Sequence, residues 1–345
     1  MKTINVNLGD KSYPIMFGDG ICQNIAKIIK PIVKYDRVVL VCDMNTYPLY
    51  GERIIRSLEI SFDSVCVIPT GESIKTIETV SEIYRKFYEC HLTRESLVIT
   101  LGGGVVSDLG GYAAATYMRG INVIHIPTTI IGMTDAAIGG KTGYDLPHGK
   151  NLIGAFHQPK AVICDFSLMR SLPKAYFQDG MAEIIKYALI RDAVMFETLN
   201  SDEIPMRDII CRCAEIKAEI VSEDEKEGGK RKILNFGHTV GHAIETCTKY
   251  TDITHGNAVA AGMIAEIRIG EKLGITPSDT AEAVLKLFDK MGISVKADYL
   301  PEELISVVGA DKKRHGDQID MILLEKIGRA AVYPLSLKKI SELLK

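Results

Sequence analysis

Asn235, His238, His242 and Glu245 lie three, four and three residues apart, so on a helix they share one face. Such a face ordinarily carries an apolar stripe or Lys/Glu pairs. Here it carries an amide, two imidazoles and a carboxylate. Glu183 and Lys186 repeat the pattern, three apart in the otherwise apolar run Met181-Ala-Glu-Ile-Ile-Lys-Tyr-Ala188. His255 opens a further helical stretch at Thr254-His255-Gly256. Two histidines and a glutamate with one position left open form the ligand pattern of a catalytic zinc. Spacing alone is ambiguous: an HxxxH pair could put His238 and His242 on one metal, with Glu183 or His255 as third ligand. Lys217, Glu227 and Arg231 add charge nearby, although the run Glu223–Glu227 also suits a solvated helix face.

A second group points to an anion. The apolar run 96–101 leads into Gly102-Gly103-Gly104-Val105-Val106-Ser107-Asp108, followed by a helical pattern from Leu109. Glycines at a strand-to-helix turn let backbone N–H groups approach a phosphate, where the helix dipole favours negative charge. A tight structural turn is the competing reading. Thr128 and Thr129 follow the run 122–126, at the carboxyl end of a strand, where open α/β sheets bind ligands; they serve equally well as a helix cap. Asp43, after the run 38–42, suits a ribose hydroxyl or a solvated turn. Lys141, Lys150 and Asn151 sit among five glycines between Gly139 and Gly154. That stretch has little helix or strand propensity and reads as a loop shaped for a phosphate or carboxylate.

Elements must position these groups. Apolar runs at 38–42, 64–68, 96–101 and 122–126 alternate with helical patterns around 19–30 and 73–90, which predicts βαβ units and a mainly parallel sheet. From about residue 175 to 290 the periodicity is helical. The segment IDMILLEKIGRAAVYPL predicts a hairpin turning at Lys326-Ile327-Gly328. A domain boundary falls between Pro173 and Gly180.

The chain has 345 residues, with 41 Lys+Arg against 44 Asp+Glu, a net charge of −3. That length suits one large or two modest domains. The balance excludes a general nucleic-acid binder, and no apolar run reaches the roughly 18 residues of a membrane span. Met1–Val6 alternates polar and apolar like a strand and lacks the apolar block of a signal peptide, so a cytoplasmic protein is expected. The 8 cysteines are scattered without a CxxC pair and are expected to be reduced and mostly buried, with Cys211 and Cys213 on different faces of a helix.

Together these segments resemble the 3-dehydroquinate synthase family of the sugar phosphate cyclases. The resemblance runs through GESIKT (71–76), GGGVVSDLGGYAAATYMRG (102–120), PTTIIGMTDAAIGGKTG (127–143), HGKNLIGAFHQP (148–159), GMAEIIKYALI (180–190), LNFGHTVGHAIE (234–245), HGNAVAAGM (255–263) and ADKKRHG (310–316). It implies an α/β fold: an N-terminal Rossmann-like parallel-sheet domain binding NAD, 1–177, and a mainly α-helical C-terminal domain with a small β-hairpin binding metal and substrate, 178–345. The implied reaction converts 3-deoxy-D-arabino-heptulosonate 7-phosphate to 3-dehydroquinate and phosphate, in the shikimate route to chorismate and the aromatic amino acids. NAD-mediated oxidation is followed by β-elimination of phosphate, reduction, ring opening and an internal aldol addition.

Carried over residue by residue, the zinc or cobalt ligands fall on Glu183, His238 and His255, which leaves His242 either to support the ligands from behind or to contact substrate. NAD contacts fall on Asp43, Glu72, Lys75, Gly104, Val105, Val106, Ser107, Asp108, Thr128 and Thr129, with Lys141 and Lys150 counted among them. Lys141, Asn151, His242 and Arg231 are implied to bind the departing phosphate, and Lys150, Lys217 and Asn235 the carboxylate and hydroxyls. Asp135, Lys186 and Lys312 complete the substrate contacts, with Lys313 adjacent to the last. Arg119 matches an arginine that reaches the neighbouring subunit, implying a homodimer. Departures from the family pattern are Ser107 in place of glycine, Ala136-Ala137 in place of serines, and Met133. Three rivals are a sibling 2-deoxy-scyllo-inosose or epi-valiolone synthase, a metal- and NAD-dependent polyol dehydrogenase, and a nucleotide-binding sensor. Asn235, Lys217 and Lys312 argue against the sibling cyclases, the basic segment 141–151 against the dehydrogenase, and the intact Glu183/His238/His255 set against the sensor.

Overall fold

The computed structural model describes residues 1–147, 149–248, 253–295, 314–315 and 318–344. Two compact units form, the first from Met1–Pro173 with Ile210–Lys226, the second from Lys174–Ile209 with Glu227–Lys345. A single cut at 177/178 does not describe these units, because Ile210–Lys226 returns to the first and takes Lys217 with it.

The first unit is built on seven strands: β1 Lys2–Val6, β2 Tyr13–Gly18, β3 Val38–Asp43, β4 Val65–Ile68, β5 Leu97–Gly102, β6 Asn122–Pro127 and, after the hairpin β7 Lys141–Leu146 and β8 Gly149–Phe156, β9 Ala161–Asp165. Their order in the sheet is β1-β2-β9-β6-β5-β3-β4, parallel throughout except for β1 against β2. Alternate residues feed two cores, as a sheet covered on both faces requires. Leu40, Cys42, Ile99 and Leu101 pack with α1 (Ile25–Ile29) and α2 (Glu52–Leu58) on one face. Val39, Val41 and Val98 pack with α3 (Ile77–Glu89) and α4 (Gly104–Thr116) on the other. The stretch 141–156 forms an antiparallel hairpin rather than a loop, with Lys141 opposite Phe156 and Gly143 opposite Gly154.

The second unit holds α5 (Lys174–Arg191), α6 (Ala193–Asn200), the start of α7 (Met206–Glu223), α8 (His238–Cys247), α9 (His255–Lys272) and α10 (Thr280–Lys290). A three-stranded antiparallel sheet, β10 (Arg314–His315), β11 (Gln318–Lys326) and β12 (Arg329–Ser336), precedes α11 (Leu337–Leu344). The expected hairpin is β11–β12, and its turn is pinned to α5 by Gly328 N–H donating to the Leu189 carbonyl at 2.8 Å. Ile319, Met321 and Leu323 on β11 pack on Val240, Ile244, Ala258 and Ala261 of α8 and α9. All eight cysteines are free, and Cys211 and Cys213 are both buried. No described helix is long and apolar enough to cross a membrane.

Candidate functional site

Two clusters of polar side chains form, one in each unit. In the second unit α8 and α9 cross at glycine contacts: a Cβ on Gly262 would fall on the Gly237 carbonyl oxygen and lie 2.8 Å from Gly241 N. Gly237 itself sits at φ +77°, a left-handed turn that starts α8 with its N–H donated to buried Glu266 at 2.8 Å. The close crossing sets His238 and His242 of α8 beside His255, the first residue of α9. Ring centroids are 5.4 Å apart for His238–His242, 5.6 Å for His238–His255 and 6.3 Å for His242–His255. Helix α9 is tied to α5 by Gly256 N–H donating to Asp179 Oδ1 at 3.1 Å, which brings Glu183, one turn on from Asp179, under the histidines.

Glu183 Oε1 lies 3.4 Å from His238 Nε2 and 3.6 Å from His255 Nε2. A tetrahedral zinc with bonds of about 2.0–2.2 Å would hold its ligand atoms about 3.3–3.6 Å apart. Both carboxylate oxygens of Glu183 are buried without a hydrogen-bond partner among the described residues, although Lys186 Nζ forms an ion pair with Oε2 at 2.5 Å. A buried carboxylate is costly unless cations meet it: Lys186 meets Oε2, and Oε1 faces the two imidazoles. The two imidazoles are oriented for a cation. His238 Nδ1 donates to the Phe236 carbonyl at 3.1 Å and His255 Nδ1 to Glu245 Oε1 at 3.2 Å. Both acceptors lack a proton to give, so Nδ1 carries the hydrogen and Nε2 faces Glu183.

The electrostatics agree. Burial alone would raise the Glu183 carboxyl, but Lys186 and His238 hold it well below the usual carboxylate range. Burial keeps His238 below its ordinary value. Burial would lower His255 too, yet Glu183 and Glu245 outweigh it and lift His255 to about 10 in the metal-free chain. A metal taking Nε2 therefore displaces a proton. His242, Glu245 and His255 form a second set whose ligand atoms lie within 4.8 Å of one another.

In the first unit the glycine turn Gly102–Gly104 leads directly into α4, which starts at Gly104, five residues before Leu109. Gly103 caps it without a side-chain bond, leaving first-turn N–H groups open to an anion. The side chain of Val106 is core and Ser107 Oγ bonds back to the Gly104 carbonyl at 2.9 Å, so a ligand there meets backbone. Lys75, 4% exposed, pairs with Asp108 Oδ2 at 2.6 Å and donates to Asn151 Oδ1 at 2.5 Å. Lys150 reaches Glu72 Oε1 at 3.4 Å. Lys217, on the returning part of α7, holds Asp135 through its carboxylate and its carbonyl.

Other expected residues are placed differently. Asp43 Oδ1 accepts from Asn45 N–H, Thr46 N–H and the Thr46 hydroxyl, a turn-closing role. Thr129 Oγ1 accepts from Gly132 N–H at 3.0 Å, a helix-capping contact, while Thr128 N–H donates to the Gly102 carbonyl at 2.9 Å. Lys141 and Arg119 are exposed, the latter at φ +71°. Met133, one of the departures, is fully buried. Asn235 lies in a 3₁₀ turn before α8 rather than on the helix, and its amide donates to Glu227 Oε1 at 2.8 Å. Arg231 is buried in the same turn. Lys312 and Lys313 lie outside the described residues.

Two family models match the chain in succession: the 3-dehydroquinate synthase N-terminal family matches residues 65–179 and the 3-dehydroquinate synthase C-terminal family residues 180–314. The 3-dehydroquinate synthase of Clostridium acetobutylicum is 42% identical over 337 residues, covering 95% of each chain. The chain belongs to the 3-dehydroquinate synthase family. Among solved structures, a 2-deoxy-scyllo-inosose synthase complexed with carbaglucose-6-phosphate, NAD+ and Co2+ superposes with a TM-score of 0.87 at 27% identity, covering 99% of each chain. The 2-epi-5-epi-valiolone synthase of Streptomyces hygroscopicus, with NAD+ and Zn2+ bound, gives 0.86 at 26% identity over 96% of this chain and 95% of that one.

Within this family member, Glu245 and Asp179 hold His255 and the start of α9, and neither was given a role by sequence reasoning. Glu245 had a signal, being the last member of the 235–245 spacing. Asp179 had none, since its contact to Gly256 spans 77 residues.

Proposed function

We propose that this member of the 3-dehydroquinate synthase family converts 3-deoxy-D-arabino-heptulosonate 7-phosphate to 3-dehydroquinate and phosphate, with NAD bound by the first unit and zinc by the second. The observation that carries this reading is 42% identity to a 3-dehydroquinate synthase along almost the full chain, against 27% and 26% to the two sibling cyclases. Bound NAD supplies a hydride acceptor that can give the hydride back, and bound zinc supplies a Lewis acid for the substrate hydroxyl. Glu183, His238 and His255 would hold the metal, with Glu183 Oε1 and the two Nε2 atoms facing one another. The turn Gly102–Asp108 would receive the NAD pyrophosphate on backbone N–H groups, and Lys75 fixes Asp108 at the side of the turn.

The remaining charged groups orient the substrate. Lys141, Asn151, Arg231 and His242 bind the leaving phosphate, which takes up the neighbouring proton as it departs. Lys150, Lys186, Lys217, Asn235, Asp135 and Lys312 hold the carboxylate and hydroxyls. Arg119 serves the site of a second subunit in a homodimer, which sedimentation of the purified chain would test.

The reaction is redox-neutral, so one equivalent of NAD per chain should support release of many equivalents of inorganic phosphate, with NADH absorbance never exceeding the enzyme concentration. Steady accumulation of NADH with phosphate retained on the product would defeat this reading in favour of a polyol dehydrogenase. Turnover of the substrates of the sibling cyclases, but not of the heptulosonate, would defeat it in favour of those enzymes.

A further inference from the structure

Glu245 is buried on α8 one turn beyond His242, and its Oε1 lies 3.2 Å from His255 Nδ1. His238 is held by a main-chain carbonyl, which its own backbone fixes in place. His255 is held by a side-chain carboxylate from a different helix, and its side chain is 34% exposed against 13% for His238. It is therefore the imidazole most dependent on a partner for its orientation. We infer that Glu245 is a positioning residue for the metal centre: its carboxylate keeps the hydrogen of His255 on Nδ1 and turns Nε2 toward Glu183 and His238. This rests on the metal reading proposed above.

The alternative is that Glu245 is itself a ligand, with His242 and His255. If His255 joined that set through Nδ1, the nitrogen 3.2 Å from Glu245, its hydrogen bond to Glu245 would be lost. That arrangement would also leave Glu183 Oε1, to which both Nε2 atoms point, buried without a hydrogen-bond partner among the described residues. The positioning role accounts for both carboxylates at once.

The test is the zinc affinity of the purified full-length chain, stripped of metal and titrated in competition with a chromophoric chelator. E245A should bind zinc about 10–100-fold more weakly than the parent, the usual effect of losing such an outer partner. E245Q, which keeps an oxygen acceptor at the same reach, should recover most of that loss. The Co2+-loaded parent and E245Q should show the same ligand-field absorption, because the ligand set is unchanged. Should E245A fail to fold by circular dichroism, E245D replaces it, with weaker binding expected than for E245Q because the acceptor is withdrawn. Unaltered zinc affinity in E245A or E245D would overturn the inference. So would loss of zinc in both E245Q and H242A with retention in E183A, which would make Glu245 a ligand. Retention of zinc in E183A and H238A, with E245Q unaffected, would instead remove the metal reading on which the inference rests.

Discussion

The ammonium of Lys217 meets Asp135 twice, through the carboxylate and, at 2.6 Å, through the backbone carbonyl. Lys217 is nearly buried and Asp135 about a fifth exposed, so the pair is partly shielded from water. Removing one partner of a fully buried pair costs about 3–5 kcal/mol, and access to water reduces this. K217M should lower stability by about 1–3 kcal/mol in urea unfolding. A loss near zero would show that the contact holds substrate geometry alone.

Metal content separates the roles of the histidines. H238A and H255A should each lose most bound zinc, whereas H242A should retain it and lose turnover. A strong chelator should abolish turnover and added zinc restore it. Equal zinc loss in H242A and H255A would favour the HxxxH arrangement over the Glu183 set.

Lys75 makes a pH prediction in the alkaline range. Burial alone would lower it, but Asp108 and Glu72 raise it from 10.5 to about 12. A raised lysine contributes its stability in full below its unfolded value and loses it as pH climbs through the folded one. The stability deficit of K75M relative to the parent should therefore stay level from about pH 7 to 10 and narrow above about 10.5. A deficit that narrows already between about pH 7 and 9 would contradict the pairing.

His125 acts at the opposite end. It is fully buried beside Thr100, with Nδ1 2.7 Å from the threonine hydroxyl, and burial followed by His157 lowers it from 6.5 to about 3. Its neutral form is stabilising above the unfolded value, and that contribution is lost as pH falls from about 6.5 toward 3. H125Q, which keeps a polar partner for Thr100, should flatten the stability profile over that window. Parallel profiles for parent and variant would assign acid sensitivity elsewhere.

The α8–α9 crossing predicts the effect of G262A. The added methyl meets main-chain atoms of Gly237 and Gly241, which have no rotamer by which to yield. The helices must part, costing about 1–3 kcal/mol as overpacking does. Zinc affinity should fall with stability, because His238 and His255 sit on the two separated helices. Unchanged melting temperature and zinc binding would show that the crossing has slack.

Strands β3, β5 and β6 were legible because a parallel strand covered on both faces reads as an unbroken apolar run, and β4, at the sheet edge, reads the same way although Val67 is exposed. The β7–β8 hairpin was not. Its glycines read as loop, yet a Cβ on Gly143 would strike the Ile153 carbonyl and one on Gly154 the Thr142 carbonyl, so the close strand pairing itself demands them. The 235–245 face was legible only from His238 onward, since Gly237 turns the chain and leaves Asn235 in the preceding 3₁₀ turn. Spacing could bring His238 and His242 together because they share a helix. It could not decide that Glu183 and His255 approach them, a relation set by tertiary packing of α5 and α9 on α8.

The return of Ile210–Lys226 to the first unit constrains biosynthesis of the chain. A ribosome that has delivered residue 173 has made every strand of the seven-stranded sheet but not Lys217, so the Lys217–Asp135 contact cannot form until the intervening helices have emerged. The first unit is therefore discontinuous in the chain, and the segment Ile210–Lys226 that completes it is made only after Lys174–Ile209 of the second. A gene fragment stopped at 177 would encode every strand of the sheet but lack Ile210–Lys226, the part of the first unit that carries Lys217.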